Sequence, residues 1–421
     1  MTATSTDPAV PSRTSLGRPF FWLWNACAGS NLADGVYQVA LPATAVHLGG
    51  GADGVALVAA MSRLPWLLFA LFSGLLVDRY DERRLMRVVN TGRVLVLGAV
   101  ALLLALGEGS ISLLAAAAFL LGIGETVFDT AFHTTTPGLV EPSQLERANA
   151  RLQAAEITTN QMAGPPLGGL LLGLTAALAF GATAVLYLAT VLALLALPAP
   201  DGRTPPAATP GRTGVLRDIR AGLSFLVGHR TLLVYALGVG ALNLAWAAVY
   251  AALPVLALRP GPLGLSPSAY GTLLMIAGVS GLAVGLLSAK ATARLGTRPC
   301  MALGLAGMAV GFLLPGLVLT TASLGVGLGC TGLLVLINVV TVSYRQRTVP
   351  QEMLGRVTSA YRLIAFGCLP LGSALAGVVG SHAGSRPVLL VAGCVVLAAA
   401  VPMVLATPRP APAPTEVTET E

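Results

Sequence analysis

Apolar residues in this chain come in long blocks, not in alternation with polar ones. Uninterrupted apolar stretches of roughly 20 residues recur along the whole length, enough to cross a ~30 Å hydrocarbon core as helices. The pattern predicts twelve spans, at 20–46, 53–77, 88–107, 111–135, 146–174, 176–198, 231–258, 268–290, 298–320, 322–345, 355–380 and 386–406. The first, fourth and fifth carry polar ends. The period-two alternation of an outer-membrane barrel is absent. The expected class is therefore an all-α, multi-pass membrane protein. Met1 to Arg18 is polar, with no small-residue cleavage site ahead of the first span, so no removable signal peptide is expected.

The longest polar interruption, 199–230, divides the spans six and six. Its first half is rich in Pro, Gly and Thr and reads as a flexible linker. Its second half, Val215 to His229, has the pattern of an amphipathic helix lying on the cytoplasmic surface. The expected organisation is a tail at 1–19, a six-helix bundle at 20–198, the linker at 199–230, a second bundle at 231–406 and a tail at 407–421. The halves echo each other in order. GLLVDRYDERR from Gly74 is matched by GLLSAKATARLGTR from Gly285, and VEPSQLERANAR from Val140 by VPQEMLGRVTSAYR from Val349. PPLGGLLLG from Pro165 is matched by LPLGSALAG from Leu369. Such matches argue for a duplicated six-helix unit, hence two pseudo-symmetric bundles around a midplane site, as in secondary transporters.

Composition agrees with embedding. The chain is 55% hydrophobic and 10% charged, with mean hydropathy +0.79, whereas a soluble domain is about 25% charged. The net charge of +7 raises nucleic acid as a partner, but the placement of the charge excludes it. Most Lys and Arg fall in the N-terminus, the even-to-odd loops and the C-terminus, from Arg13 and Arg18 to Arg409, and only Arg259 and Arg386 sit in the opposite loops. This positive-inside asymmetry places both termini in the cytoplasm. Cys27, Cys300, Cys330, Cys368 and Cys394 have no paired spacing, so neither disulfides nor a metal site are expected. Gly327-x-Gly329-x-x-Gly332 is formally a dinucleotide fingerprint, but it lies inside a span with no strand before it. No GxxxxGK motif is present, so ATP hydrolysis by this chain is not expected, and no cofactor or enzymatic activity is implied.

Six of the seven residues from Asp78 to Arg84 are charged, directly after the second span. Gly74, Asp78, Arg79, Arg83 and Arg84 resemble the signature that the major facilitator superfamily carries between its second and third helices. Gly164, Pro165, Pro166, Gly168 and Gly169 resemble that superfamily's fifth-helix antiporter motif. LWNACAGSNLADGVYQVALP, LLGIGETVFDTA and ERANARL are similar to the twelve-span bacterial branch that contains macrolide efflux proteins and the enterobactin exporter. The likeness covers roughly 20–405. Two departures stand out. Asp81 replaces the signature's second glycine, and Glu125 and Asp129 stand in the fourth span, where the family often has an arginine.

An ionisable group inside a span costs about 2.5–3.5 kcal/mol on insertion scales and is expected to face a cavity or a partner. Ser30, Asn31, Asp34, Tyr37 and Gln38 share one face of the first span. Asp34 is a candidate for binding a proton or a cationic substrate, or else a hydrogen-bonding carboxylate between helices. Glu125, Asp129 and His133 follow one another at i, i+4 and i+8 in the fourth span, with Glu125 deepest. Neighbouring carboxylates suit proton coupling because they resist being ionised together. The alternative leaves Asp129 and His133 solvated in the headgroup region. Asn149, Gln153, Glu156 and Asn160 form a polar stripe entering the fifth span. It either lines the mouth of a cavity or provides only interhelical hydrogen bonds.

Arg63 in the second span either neutralises Asp34 or Glu125 or snorkels outward, while Arg93 and Arg362 are expected to snorkel to the cytoplasmic surface. The second half has no acid between Asp218 and Glu352, and its cavity candidates are Asn243, Trp246, Tyr250 and Asn338. The glycine–proline run of the fifth span is expected to give close helix approach and a kink. Asp78 is a candidate latch that holds Arg356 or a helix N-terminus of the other half.

These readings together imply a secondary active exporter of a small, largely apolar organic compound, working by alternating access with proton antiport. It would be monomeric, in a bacterial cytoplasmic membrane, with both termini inside. A dedicated exporter of one host metabolite, such as a siderophore or antibiotic, is the alternative. Nutrient uptake and a transport-inactive receptor stand further off.

Overall fold

The computed structural model describes residues 16–197 and 215–408, with the backbone alone described at Ala70, Leu71, Leu75, Asp78, Pro142 and residues 215–219. Residues 1–15, the proline-rich part of the linker and residues 409–421 lie outside the described residues, and with them Arg13, Arg203, Arg212 and Arg409.

Apart from one isolated bridge between Leu258 and Leu265, the described secondary structure is helical. The first half comprises α1 (Gly17–His47), α2 (Gly51–Arg79), α3 (Glu82–Ala105), α4 (Ile111–Thr135), α5 (Leu145–Glu156), α6 (Gly164–Leu174) and α7 (Ala176–Leu195). A surface helix, α8 (Val215–Gly228), precedes the second half. That half comprises α9 (Arg230–Ala257), α10 (Pro267–Leu295), α11 (Thr297–Leu317), α12 (Thr321–Thr331), α13 (Leu334–Thr348), α14 (Gln351–Ala383) and α15 (Ser385–Ala406). Among the described residues, ten helices are long and apolar enough to cross a membrane, α12 and α13 counting as one. The polar-ended α1, and α5 and α6 joined through a π-helical stretch at Ile157–Ala163, complete twelve.

Local chemistry sets the ends of these helices. Ser110, Thr175, Ser266 and Thr320 cap α4, α7, α10 and α12 by accepting from the backbone N–H three residues on. Gly296 and Gly384, at φ 84° and 83°, make the sharp turns between α10 and α11 and between α14 and α15. Asp81, the departure from the loop signature, is the N-cap of α3, with its carboxylate 2.7 Å from Arg84 N. A capping carboxylate there also complements the helix dipole. The large exposed side chains, such as Leu95, Leu174 and Leu286, lie in the spans, as expected of a lipid-facing surface.

Both ends of the described chain emerge on one face, here the terminal face. The halves meet chiefly through α2 against α14 and α6 against α10. These contacts concentrate toward the opposite face. A Cβ at Gly377 would lie 2.9 Å from Ala56 Cβ, and one at Gly380 would lie 2.7 Å from Ala52 Cβ. Gly169 abuts the Pro267 carbonyl and Gly271 abuts the Pro165 carbonyl. At mid-height, Gly278 faces the Gln161 carbonyl and Gly367 faces Leu67. Toward the terminal face His133, Gln153, Arg356 and Arg362 are exposed, with His133 of the first half within electrostatic reach of Arg362 of the second. The glycine contacts between the halves are thus closest on the face away from the termini.

Candidate functional site

The fifth-span motif explains how α1 is fixed. Pro165 and Pro166 donate no backbone hydrogen bond, and the turns before them widen into the π-helical stretch, with Gly164 N bonded to Thr159 O. Such insertions are frequent at functional positions. Gly164 then lies against Gly35, and a Cβ at Gly168 would lie 2.6 Å from the Val36 carbonyl. On its other side the same motif meets α10 through Gly169. α6 is thus the glycine-lined strut between α1 and the second half.

α1 presents Asp34 to a buried cluster. Asp34 accepts a hydrogen bond from Tyr187 Oη of α7 at 2.5 Å, and lies 3.9 Å from the Arg93 guanidinium of α3. Arg93 is 2% exposed and Asp34 13%. The guanidinium stacks over the rings of Tyr187, at 4.9 Å, and Phe128, at 5.7 Å. It also reaches Ser30 Oγ at 3.5 Å and Asn90 Oδ1 at 3.4 Å. A buried ion pair is retained only where its remaining groups are well satisfied. Here Arg93 Nε and Nη2 have no hydrogen-bond partner, and the aromatic faces supply the remaining attraction.

This corrects the expectation that Arg93 snorkels to the surface. That reading rested on a third span beginning near residue 88. Asp81 starts the helix at Glu82, which puts Arg93 about three turns inside it. The fourth-span arginine that the family often has is absent, and α3 supplies a cation beside α4 instead. Gly124 of α4 makes the room, because a Cβ there would lie 2.7 Å from Arg93 Nε.

The other acids of the first half lie around this cluster. Glu125 and Asp129 are half-buried on α4, and His133 is exposed near the terminal face. Glu125 lies within electrostatic reach of Asp34, Arg63 and Arg93. The hydroxyl of Tyr37, close to Glu125, is buried without a hydrogen-bond partner, and the indole N–H of Trp66 is buried against the Glu125 carboxylate. Gln38 donates to Asn160 Oδ1 at 3.3 Å, and Gln153 donates to Glu156 Oε2 at 3.3 Å, so the polar stripe of the fifth span joins the face of α1 that carries Asp34. Asn31 is turned back along its own helix, donating to Cys27 O at 3.0 Å.

Arg63 crosses the cleft. Its guanidinium lies 5.6 Å from the ring of Trp246 on α9, which is itself stacked on Tyr250 at 4.1 Å. Neither of the two expected roles included this contact with the other half. Asn243 donates to Ala365 O at 2.8 Å, tying α9 to α14, and Asn338 is exposed on α13. Arg362 is exposed and stacks over Phe366 at 5.6 Å.

In the loop signature, Gly74 faces open space, Arg79 and Arg84 are exposed, and Arg83 is buried with Nη1 unpartnered. The Asp78 side chain lies outside those described. Arg356 is exposed on the first turns of α14, beside Met353 Sδ at 3.8 Å, and its carbonyl packs against Gly222 of α8. Sequence reasoning passed over Tyr187, Asn90, Phe128 and Gly124. A lone tyrosine in an apolar stretch and a glycine in a different span from the arginine it accommodates are weak signals until helix faces are known.

Residues 11–416 match the family model described as transmembrane secretion effector. The chain is 27% identical, over 90% of its length and 91% of the relative's, to the multidrug efflux pump Tap of Mycobacterium tuberculosis (strain H37Rv). Its fold is similar to that of a bacterial homologue of the iron transporter ferroportin in its inward-facing state, with TM-score 0.72 and 18% identity, covering 94% of this chain and 100% of that one. It is also similar to a mutant form of the nucleoside transporter NupG, with TM-score 0.75 and 12% identity, covering 93% and 100%. With twelve spans in two halves and a family match across nearly its whole length, the chain belongs to the transmembrane secretion effector family of major facilitator superfamily transporters.

Proposed function

We propose that this transporter exports small, largely apolar organic compounds across a bacterial cytoplasmic membrane by proton antiport, as a monomer with both termini in the cytoplasm. The observation that carries this reading is the division of charge. The acids inside the spans, Asp34, Glu125, Asp129 and Glu156, all belong to the first half, while the second half offers the cleft the Trp246–Tyr250 stack. The 27% identity to a multidrug efflux pump over nearly the whole chain supports export. The arginine-rich terminal face supports cytoplasmic termini.

In this reading the two central acids have different duties. Asp34 is held by Arg93 and Tyr187, so protonating it would leave a buried arginine without its counter-ion. Glu125 has no cation within ion-pair distance among the described residues, and it lies beside the Trp66 indole N–H and the unpartnered Tyr37 hydroxyl. Glu125 is the proton carrier, and Asp34 with Arg93 sets the field it feels. Binding of a proton at Glu125 and of substrate at the aromatic stack are mutually exclusive, and each favours a different orientation of the halves. One proton moving down ~100 mV releases about 2.3 kcal/mol, and a pH unit adds about 1.4. These suffice for a gradient of a few hundred-fold.

The test is uptake into everted vesicles under an imposed pH gradient, with a panel of apolar antibiotics and dyes. Glu125→Gln is expected to abolish gradient-driven accumulation while preserving insertion and substrate exchange. Full accumulation by Glu125→Gln would remove the coupling assignment. Accumulation by none of the panel in the unaltered protein would favour a dedicated metabolite substrate.

A further inference from the structure

At the terminal face, a groove of about 720 Å³ runs between the first turns of α1 and the end of α5. Phe20, Phe21 and Trp24 form one wall and Ala154 stands on the other. The apolar part is open, with Phe21 54% exposed. Two guanidiniums, Arg18 and Arg151, belong to the same groove and are exposed. No acid lines it among the described residues. Its two walls are joined by one polar contact, Trp24 Nε1 to Arg151 O at 3.4 Å, which leaves the arginine side chain uncommitted to that bond.

Three features decide what such a trough accepts. It lies where α1 begins, and its wall carries Trp24, a residue type enriched at membrane–water interfaces. Its apolar walls would be idle against a small soluble anion, and its paired cations would be idle against an uncharged solute. Arginine forks match phosphate oxygens in bidentate geometry. Basic pockets between transmembrane helices on this kind of face hold anionic lipid headgroups. A zwitterionic lipid brings its own ammonium, which two uncompensated cations disfavour. We propose that the α1–α5 groove is a binding site for one anionic phospholipid, its phosphate between Arg18 and Arg151 and one acyl chain along Phe20, Phe21 and Ala154. The proposal does not depend on what the transporter carries, because the groove lies on the outer flank of the α1–α5 junction and shares none of the residues assigned to the proton or the substrate.

The experiment uses the purified full chain, delipidated in detergent, with native mass spectrometry of bound lipid. Phosphatidylglycerol and phosphatidylcholine of identical acyl chains compete at equal concentration. Preferential retention of phosphatidylglycerol is expected, falling roughly thirtyfold in the R18Q/R151Q double variant, about fivefold per cation removed. R347Q, which removes a cation from the terminal face of the other half, should leave retention unchanged. If the double variant does not fold, R18Q alone, at the exposed start of α1, carries the test with its fivefold loss. Equal retention of both lipids, or an equal loss in R347Q, overturns the site. Complete displacement by millimolar inorganic phosphate shows an anion site without a lipid and also overturns it. So does phosphatidylglycerol retention that arises only after deletion of residues 2–14, which would make the chain's own N-terminal segment the occupant.

Discussion

Gly124 and Arg93 occupy complementary positions: the missing side chain of one is the space that the guanidinium of the other fills. A cation otherwise costly in a membrane is thereby held between two aromatic rings and Asp34. Gly124→Val is expected to displace Arg93 and destabilise the protein by about 1–3 kcal/mol, the usual cost of overpacking. A lowered melting temperature in detergent, with normal membrane insertion, checks it. An unchanged melting temperature would mean that the arginine has another place to lie.

Breaking the pair from either side should not be equivalent to removing both partners. Asp34→Asn leaves a buried arginine, and Arg93→Leu leaves a buried acid, each expected to cost about 3–5 kcal/mol. The double variant should recover much of that loss. A double-mutant cycle on thermal stability measures it, and additive losses would show that the two groups do not act as a pair.

The Arg63–Trp246 contact joins the halves across the cleft. Such stacks contribute about 0.5–2 kcal/mol, enough to bias a two-state equilibrium several-fold. Trp246→Ala is expected to weaken the binding of aromatic substrates and to shift the halves away from the arrangement described. Trp246→Phe, with a smaller ring, should restore part of both. Binding by tryptophan-independent dye displacement separates the outcomes, and equal behaviour of the two variants would assign the effect to packing alone.

Closure away from the termini rests on small residues, so one added side chain should prise it open. Gly380→Val would press against Ala52, whose Cβ already lies 2.7 Å from where a Cβ would stand. In a chain with its native cysteines replaced, labelling of Tyr250→Cys by a membrane-impermeant thiol reagent from the face opposite the termini should rise several-fold. No rise would place the barrier elsewhere along α2 and α14.

Asn243 donates to Ala365 O at 2.8 Å, between α9 and α14. Interhelical hydrogen bonds in membranes are worth about 0.6–2 kcal/mol. Asn243→Ala should therefore lower thermal stability modestly without changing substrate range. A narrowed range would instead make the amide part of the binding surface.

The spans were legible because lipid requires long apolar helices, and their number and order followed from block length alone. Individual faces were not. Asp34 and Glu125 were recognisable as acids in apolar surroundings, but their partners came from α3 and α7, far away in sequence. A span estimated to begin at 88 instead of 82 was enough to turn Arg93 from a buried ion-pair partner into a surface residue. Asp81 looked like a lapse in a loop signature until its carboxylate was seen capping α3. Arg63 presented two plausible partners within its own half and found Trp246 in the other. Contacts across the cleft depend on how far the halves are opened, which hydrophobicity does not encode.

The glycine seam between α6 and α10 has one more property. Its apposed surfaces are Cα atoms and carbonyls, with Gly169 and Gly271 each turned to a carbonyl of the other helix. Contacts of this kind contribute about 0.5–1 kcal/mol each, and no side chain interlocks across them. At these two glycines the helices can part without a rotamer change. A junction this close is thus fastened at these glycines by backbone alone, with no side-chain hook to undo.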